Sequence, residues 1–313
     1  MGRLPLRAFC VLLILTSLAK SIAAQSGSSS ATYRTRAVLL GTGNPNADPE
    51  RWGPGVAIVV DGRSYLVDAG SGIVRQAARA TRDWNIPALA PDSLSRVFLT
   101  HLHSDHTIGL PDLLLSPFVL DRPGPLEVYG PAGTQRMAAH IMEAWDQDVH
   151  MRLFGLEPRP NVDAWRANVH EISEGIIYED DVMRVSAFWV PHGSWPYAYA
   201  YRFEGPDRVI VVSGDTGPAP DVFAEACNGC DVLIHEVYST TAFAGRPSEW
   251  QRYHADNHTS THELAQVALR ARPRLLVLYH QLFWGVTEDD LIQEMRDAGY
   301  VGDVSSGKDI DIF

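Results

Sequence analysis

Four side chains able to hold a metal ion fall within six residues at His101-Leu102-His103-Ser104-Asp105-His106, directly behind the apolar run Val97-Phe98-Leu99-Thr100. The run reads as a strand, and a strand end gives short side chains a fixed backbone from which to converge. His101 and His103 stand two apart, so a turning backbone sends both imidazoles to one ion. Asp105 and His106 are then thrown toward a neighbouring position. A lone histidine is more often a surface or satisfied core residue, whereas four donors packed this closely after a strand point to two adjacent ions. Other donors also follow apolar runs: His192 after Phe188-Trp189-Val190-Pro191, Asp215 after Val209-Ile210-Val211-Val212-Ser213-Gly214, and His280 after Leu275-Leu276-Val277-Leu278-Tyr279.

This pattern resembles the metallo-β-lactamase-fold hydrolases, and within them the branch that holds secreted arylsulfatases and ribonuclease Z. The likeness runs from about Thr35 to Phe313. It passes through Leu40-Gly41-Thr42-Gly43, Tyr65-Leu66-Val67-Asp68-Ala69-Gly70, the HLHSDH loop, His192, Ser213-Gly214-Asp215-Thr216, His235-Glu236, His258-Thr259-Ser260 and His280. The resemblance implies an α/β fold, an αββα sandwich of two mixed sheets flanked by helices. It implies one metal site from His101, His103 and His192, another from Asp105, His106 and His280, and Asp215 bridging them. Such sites hold two ions ~3.5–4 Å apart with a hydroxide between them that attacks the substrate. Zinc suits an imidazole-rich, carboxylate-bridged set, and no thiolate excludes manganese or iron.

The same resemblance gives a catalytic set of Asp105, His258 and Glu236. His258 would donate a hydrogen bond or proton to a substrate oxygen, and Glu236 would orient it and keep it protonated. The alternative is that His258 only precedes a helix cap. Asp68 is expected to accept a hydrogen bond from a ligand imidazole, or else to cap the turn before Ala69-Gly70. His140, His150, His170, His235, His254 and His262 have weaker claims; His235 would stabilise the loop carrying Glu236, and the others would lie at the surface. Gly41-Thr42-Gly43 lacks the GxxxxGK[S/T] of a nucleotide loop and is expected to give close backbone approach beneath the metals. Trp195, Tyr197, Phe283 and Trp284 flank two ligands, and either line a pocket for an aryl group or pack the core.

Elements able to position these residues alternate along the chain. Residues 37–40, 55–61, 64–68, 97–99 and 126–129 read as strands of a first half, and 182–190, 197–203, 209–213, 232–235 and 275–279 as strands of a second. Helical spacing fills 72–82, 133–146, 220–226 and 260–271. The last opens on Ser260-Thr261-His262-Glu263, a capping box.

The chain has 313 residues, 45% hydrophobic and 20% charged, the profile of a globular catalytic domain. Residues 1–24 read as a signal peptide: Arg3 and Arg7, an apolar run from Ala8 to about Leu18, then small residues. Residues 25–31 read as a flexible linker and 32–313 as the catalytic domain. Losing the leader removes Arg3, Arg7 and Lys20 and no acid, taking the formal net charge from −12 to −15. A surface so acidic should repel nucleic acid. Cys227 and Cys230 either close a small disulfide loop or remain two partly buried thiols.

The reading reached from sequence is a periplasmic or secreted dinuclear hydrolase of small anionic esters, most closely arylsulfatase-like, with a small-molecule partner, no nucleic acid and no membrane after cleavage. A homodimer stays open. The alternatives are a ribonuclease Z-like endonuclease, a lactonase or carboxyl-ester hydrolase, and a non-catalytic metal binder. Ribonuclease Z is set behind the arylsulfatase because tRNA precursors are not expected outside the cytoplasm and because the His192–Asp215 interval has no room for a tRNA-grasping arm.

Overall fold

A computed structural model of the chain describes residues 1–2 and 33–313 apart from 159. The signal peptide and linker expected over residues 3–31 lie outside the described residues. No helix among the described residues is long and apolar enough to cross a membrane.

The first half builds one sheet from β1 (Thr35–Gly41), β2 (Gly55–Val60), β3 (Arg63–Val67), β4 (Arg96–Phe98), β5 (Leu126–Gly130) and β6 (Ala167–Glu171), in that spatial order. Its first three strands are antiparallel and its last three run parallel to β3. The second sheet takes β7 (Gly175–Glu179), β8 (Arg184–Trp189), β9 (Tyr199–Glu204), β10 (Val209–Val212), β11 (Val232–Tyr238), β12 (Leu275–Leu282) and β13 (Val304–Ser306), in the order 13-12-11-10-9-8-7. The helices are α1 (Ile73–Trp84), α2 (Ser104–Thr107), α3 (Leu110–Val119), α4 (Thr134–Ala144), α5 (Asp146–Phe154), α6 (Pro220–Cys227), α7 (Thr240–Phe243), α8 (Ser248–Asn257), α9 (Thr261–Ala271) and α10 (Glu288–Asp297).

Alternation along the buried strands sorts these elements into four layers. On β1, Ala37 and Leu39 face the second sheet while Val38 and Leu40 face the α1 side; on β10, Ile210 and Val212 face the first sheet and Val211 faces α6 and α9. A core between the sheets and one under each helical layer result, which is the αββα sandwich. Each buried valine, leucine or isoleucine among them contributes roughly 1.5–3 kcal/mol.

The structure adds β6, β7 and β13, edge strands that are partly exposed along their length and give no clean alternation. It also adds the helices α2, α3, α5, α7, α8 and α10. The strand expected over 182–190 begins at Arg184, because the Asp180 carboxylate draws the Val182 and Met183 N–H groups into a turn. The helix expected over 133–146 ends at Ala144 and a second begins at Asp146, with Trp145 leaving helical geometry at φ −109°, ψ 17°. Cys227 and Cys230 are joined as a disulfide at the turn from α6 to β11.

Candidate metal centre

Strand ends of both sheets meet at one edge of the sandwich, and three backbone features aim the donors there. The HLHSDH loop leaves β4 and turns through α2, so His103 lies outside the short helix while Asp105 and His106 lie on it. Gly214 takes φ 62° after β10, and a Cβ there would fall 2.7 Å from Thr100 Cβ, so only glycine lets the Asp215 loop close on the HLHSDH loop. His280 sits at φ 47° in a bulge of β12, between partners Tyr279↔Glu236 and Gln281↔Val237. A bulge of that kind re-aims one side chain out of the alternation.

Two groups of donors result, each with its atoms within 4.8 Å of one another: His101, His103, His192 and Asp215; and Asp105, His106, Asp215 and His280. His101 Nε2 lies 2.9 Å from His103 Nδ1, which lies 3.1 Å from His192 Nε2. Asp215 presents Oδ2 to His101 Nε2 at 3.9 Å, and Oδ1 to His106 Nε2 at 3.3 Å and His280 Nε2 at 3.5 Å. One carboxylate thus offers an oxygen to each group. His106 Nε2 and Asp215 Oδ1 are buried with no hydrogen-bond partner, and buried polar atoms of this kind call for one. Divalent cations would satisfy both groups, and these residue types and this arrangement fit them.

The outer faces of the ligands are held. His106 Nδ1 meets Asp68 Oδ2 at 2.8 Å, and Asp68, itself at φ 61°, also accepts from the Thr100 N–H and hydroxyl. The His192 Nδ1 proton goes to the Asn257 carbonyl at 2.7 Å, and His101 Nδ1 faces the Thr100 hydroxyl at 3.0 Å. The Trp195 indole N–H donates to His103 Nε2 at 2.6 Å. Thr100, Trp195 and Asn257 were not singled out as supports in the sequence. Thr100, next to His101, had a positional signal; the Asn257 carbonyl, 65 residues from His192, had none.

Burial and mutual repulsion with His106 hold His101 well below the usual histidine range, and burial brings His103 and His192 down to about 4. Neutral imidazoles are the form that binds metal. Burial works to raise the Asp215 carboxyl, but His280 and His106 reverse this and hold it well below the usual range.

A third group joins Glu236, His258 and His280. His258 Nδ1 stands 3.4 Å from Glu236 Oε2, whose other oxygen accepts from the Thr259 N–H at 2.8 Å. The expectation that Glu236 keeps His258 protonated is corrected: burial takes His258 down to about 4, and burial together with Asp215 pushes Glu236 well above its usual range. Desolvation outweighs the pair attraction for both charged forms. His235 lies on β11 rather than in a loop, packed on Phe223 with Nδ1 bonded to the Glu236 carbonyl. His254, expected at the surface, is buried beside His258 and Trp284. His140, His150, His170 and His262 are exposed and take no part.

The aromatics do not form the aryl pocket. Trp195 is committed to His103, Tyr197 is exposed, Phe283 lies under the Arg51 guanidinium and Trp284 packs on His254 and Tyr238. The loop Asp48-Pro49-Glu50-Arg51-Trp52-Gly53-Pro54 walls a cleft of about 500 Å³ that reaches Ser104, Asp105 and Ile108. Arg51 there ties the loop to Thr42, Gln281 and Glu288. Gly41 and Gly43 serve this loop: a Cβ on Gly41 would lie 2.0 Å from the Gly53 carbonyl.

The family model for the beta-lactamase superfamily domain matches residues 63–281, and with this fold and site the chain belongs to the metallo-β-lactamase superfamily. Within it the chain lies on the ribonuclease Z-like branch. It is 32% identical over 249 residues to a Ribonuclease Z of Mycobacterium sp. (strain KMS), covering 78% of this chain and 83% of that one. A Ribonuclease Z of Mycobacterium marinum is 29% identical over 279 residues, covering 87% and 95%. Among solved structures, human tRNase Z, short form, matches with a TM-score of 0.67 at 22% identity over 89% of this chain and 98% of that one. The metallo-beta-lactamase fold protein YhfI from Bacillus subtilis matches at 0.67 and 17%, again over 89% and 98%.

These relatives overturn the arylsulfatase reading, the small-ester partner and the exclusion of nucleic acid. The net charge that suggested the exclusion sums the whole surface and says nothing of a cleft where two cations belong. The His192–Asp215 interval does hold no arm, being a turn followed by β9 and β10. The Mycobacterium marinum protein nevertheless aligns with this chain over 95% of its own length.

Proposed function

We propose that the chain is a metal-dependent phosphodiester hydrolase that cleaves RNA, of the ribonuclease Z type. The observation that carries this reading is Asp215, placed with one oxygen toward each of two donor groups, in a chain that aligns with ribonuclease Z over most of its length. His101, His103 and His192 would hold one ion, Asp105, His106 and His280 the other, and Asp215 both; zinc is the ion proposed. When bound, the ions would acidify a water and neutralise charge on the phosphoryl oxygens.

The chain's own residues supply the rest. Asp68, Thr100, Trp195 and Asn257 hold the imidazoles at fixed angles, so the donor geometry is organised before substrate arrives. His258, with Nδ1 turned to Glu236, has Nε2 left for the substrate. An anionic phosphodiester raises this imidazole toward its charged form, and it then gives a proton to the oxygen that leaves as the P–O bond breaks. Glu236 orients the ring and shares its proton.

We also propose export, from the charged and apolar segments at the start of the chain and the Cys227–Cys230 disulfide. The RNA would then be RNA met outside the cytoplasm. The test offers metal-loaded protein a precursor tRNA and an unstructured RNA in parallel, with Asp215→Ala as control. Endonucleolytic cleavage lost in the control is expected. Loaded protein that hydrolyses simple esters but leaves both RNAs intact defeats the proposal.

A further inference from the structure

Helix α8 ends against the metal centre. Its Asn257 carbonyl holds His192, its Asp256 carbonyl accepts from the Gly193 N–H at 3.0 Å, and the chain runs directly from its last turn into His258. One turn back stands Tyr253, with its ring centroid 6.2 Å from His258, 5.1 Å from His254 and 5.6 Å from Trp250. It keeps 39% of its surface exposed, and Trp250 keeps 47%. Burial raises its phenol, with smaller contributions from Asp215 and Asp105. Tyr253 and Arg252 line a hollow of about 520 Å³ with Pro191, Gly193, Ser194 and Asn257. Glu249 and Asp256 flank Arg252 on the same helix, so this hollow is no general anion trap.

Aromatic side chains left exposed beside a reaction centre, on a helix fixed to that centre by main-chain hydrogen bonds, give a rigid stacking surface. The hollow has the size of a single small-ligand site. Resting on the RNA-cleaving reading above, we infer that Tyr253, backed by Trp250, is the stacking platform for the nucleobase next to the scissile phosphate. Stacking suits any base, so this subsite would position the strand without selecting its sequence.

The probe is an RNA tetranucleotide whose central bridging oxygen is replaced by methylene, so that it cannot be cleaved. One version carries 2-aminopurine before that linkage and another after it. On binding zinc-loaded protein, one of the two is expected to lose fluorescence by stacking. Tyr253→Phe should retain the quenching. Tyr253→Ala should abolish it and raise Kd about 5- to 150-fold, with metal content unchanged. Equal quenching and equal Kd in Tyr253→Ala, or no quenching at either position in the unaltered chain, overturns the inference. Quenching without cleavage of any natural RNA would instead defeat the nuclease reading and leave the stacking site standing.

Discussion

At the scale of single residues, the centre is built from groups that each hold a neighbour in place. Asp68 accepts from His106 and from both donors of Thr100, which in turn faces His101, so one carboxylate orients ligands of both donor groups. Asp68→Ala is expected to weaken metal binding by about 10- to 100-fold, measured by competition against a chromophoric chelator. Unchanged affinity would mean that the ligands are held by packing alone. His258 is a member of neither four-donor group, although its Nδ1 lies 4.0 Å from Asp215 Oδ2. His258→Ala should therefore retain both ions by elemental analysis while lowering turnover about 10²- to 10⁴-fold; loss of metal would move His258 into the ligand set.

At the scale of elements, caps and bulges decide what each strand or helix end delivers. The Ser260 side chain accepts from the Glu263 N–H while the Glu263 carboxylate accepts from the Ser260 N–H, so α9 is capped at a fixed point two residues after His258. Removing one partner by Ser260→Ala is expected to cost about 1 kcal/mol, read as a shift in the urea midpoint. A shift near zero would show that α9 is held by its buried face alone. This capping box was legible in sequence because its pattern is local. The bulge at His280 was not: Leu275–Tyr279 alternates like any buried strand, and only pairing with β11 reveals the extra residue. The edge strands β6 and β7 were equally hidden, since one-sided, partly exposed pairing leaves no apolar period.

At the scale of the whole molecule, the Asp180 carboxylate bridges the two sheets. From the turn before β8 it accepts from the Tyr65 hydroxyl on β3 and the Tyr178 hydroxyl on β7, both at 2.7 Å, and from two backbone N–H groups. Burial alone would raise this group, but the Tyr65 hydroxyl and the Val182 N–H lead the contacts that bring it down to about 2 from 3.8. A folded-state value below the unfolded one gives stability that is present above pH 3.8 and is lost as pH falls toward 2. Metal-free protein and its Asp180→Asn variant should differ by about 2 kcal/mol near neutrality and converge in that window. A gap that persists below pH 2 would assign it to shape rather than charge. Chelation should also lower the melting temperature, because both donor groups then bury unpartnered polar atoms, and metal restored to saturation should reach two ions per chain.

The sequence by itself determined the fold class and named the side chains that the structure brings together as candidate donors. Apolar runs of strand length ending in histidine or aspartate are local signals, and local signals survive without coordinates. What the partners of those donors would be, and what the aromatics would do, only the tertiary structure decided. Sequence leaves Trp195 open between a pocket wall and core packing, and its indole in fact donates to His103; Tyr253 carries no sequence signal and gains its place only because α8 ends at His258. Charge behaved in the same way. Glu236 beside His258 suggested a protonated imidazole, yet burial of both reverses the balance, because desolvation depends on everything packed around a pair and no stretch of sequence records that.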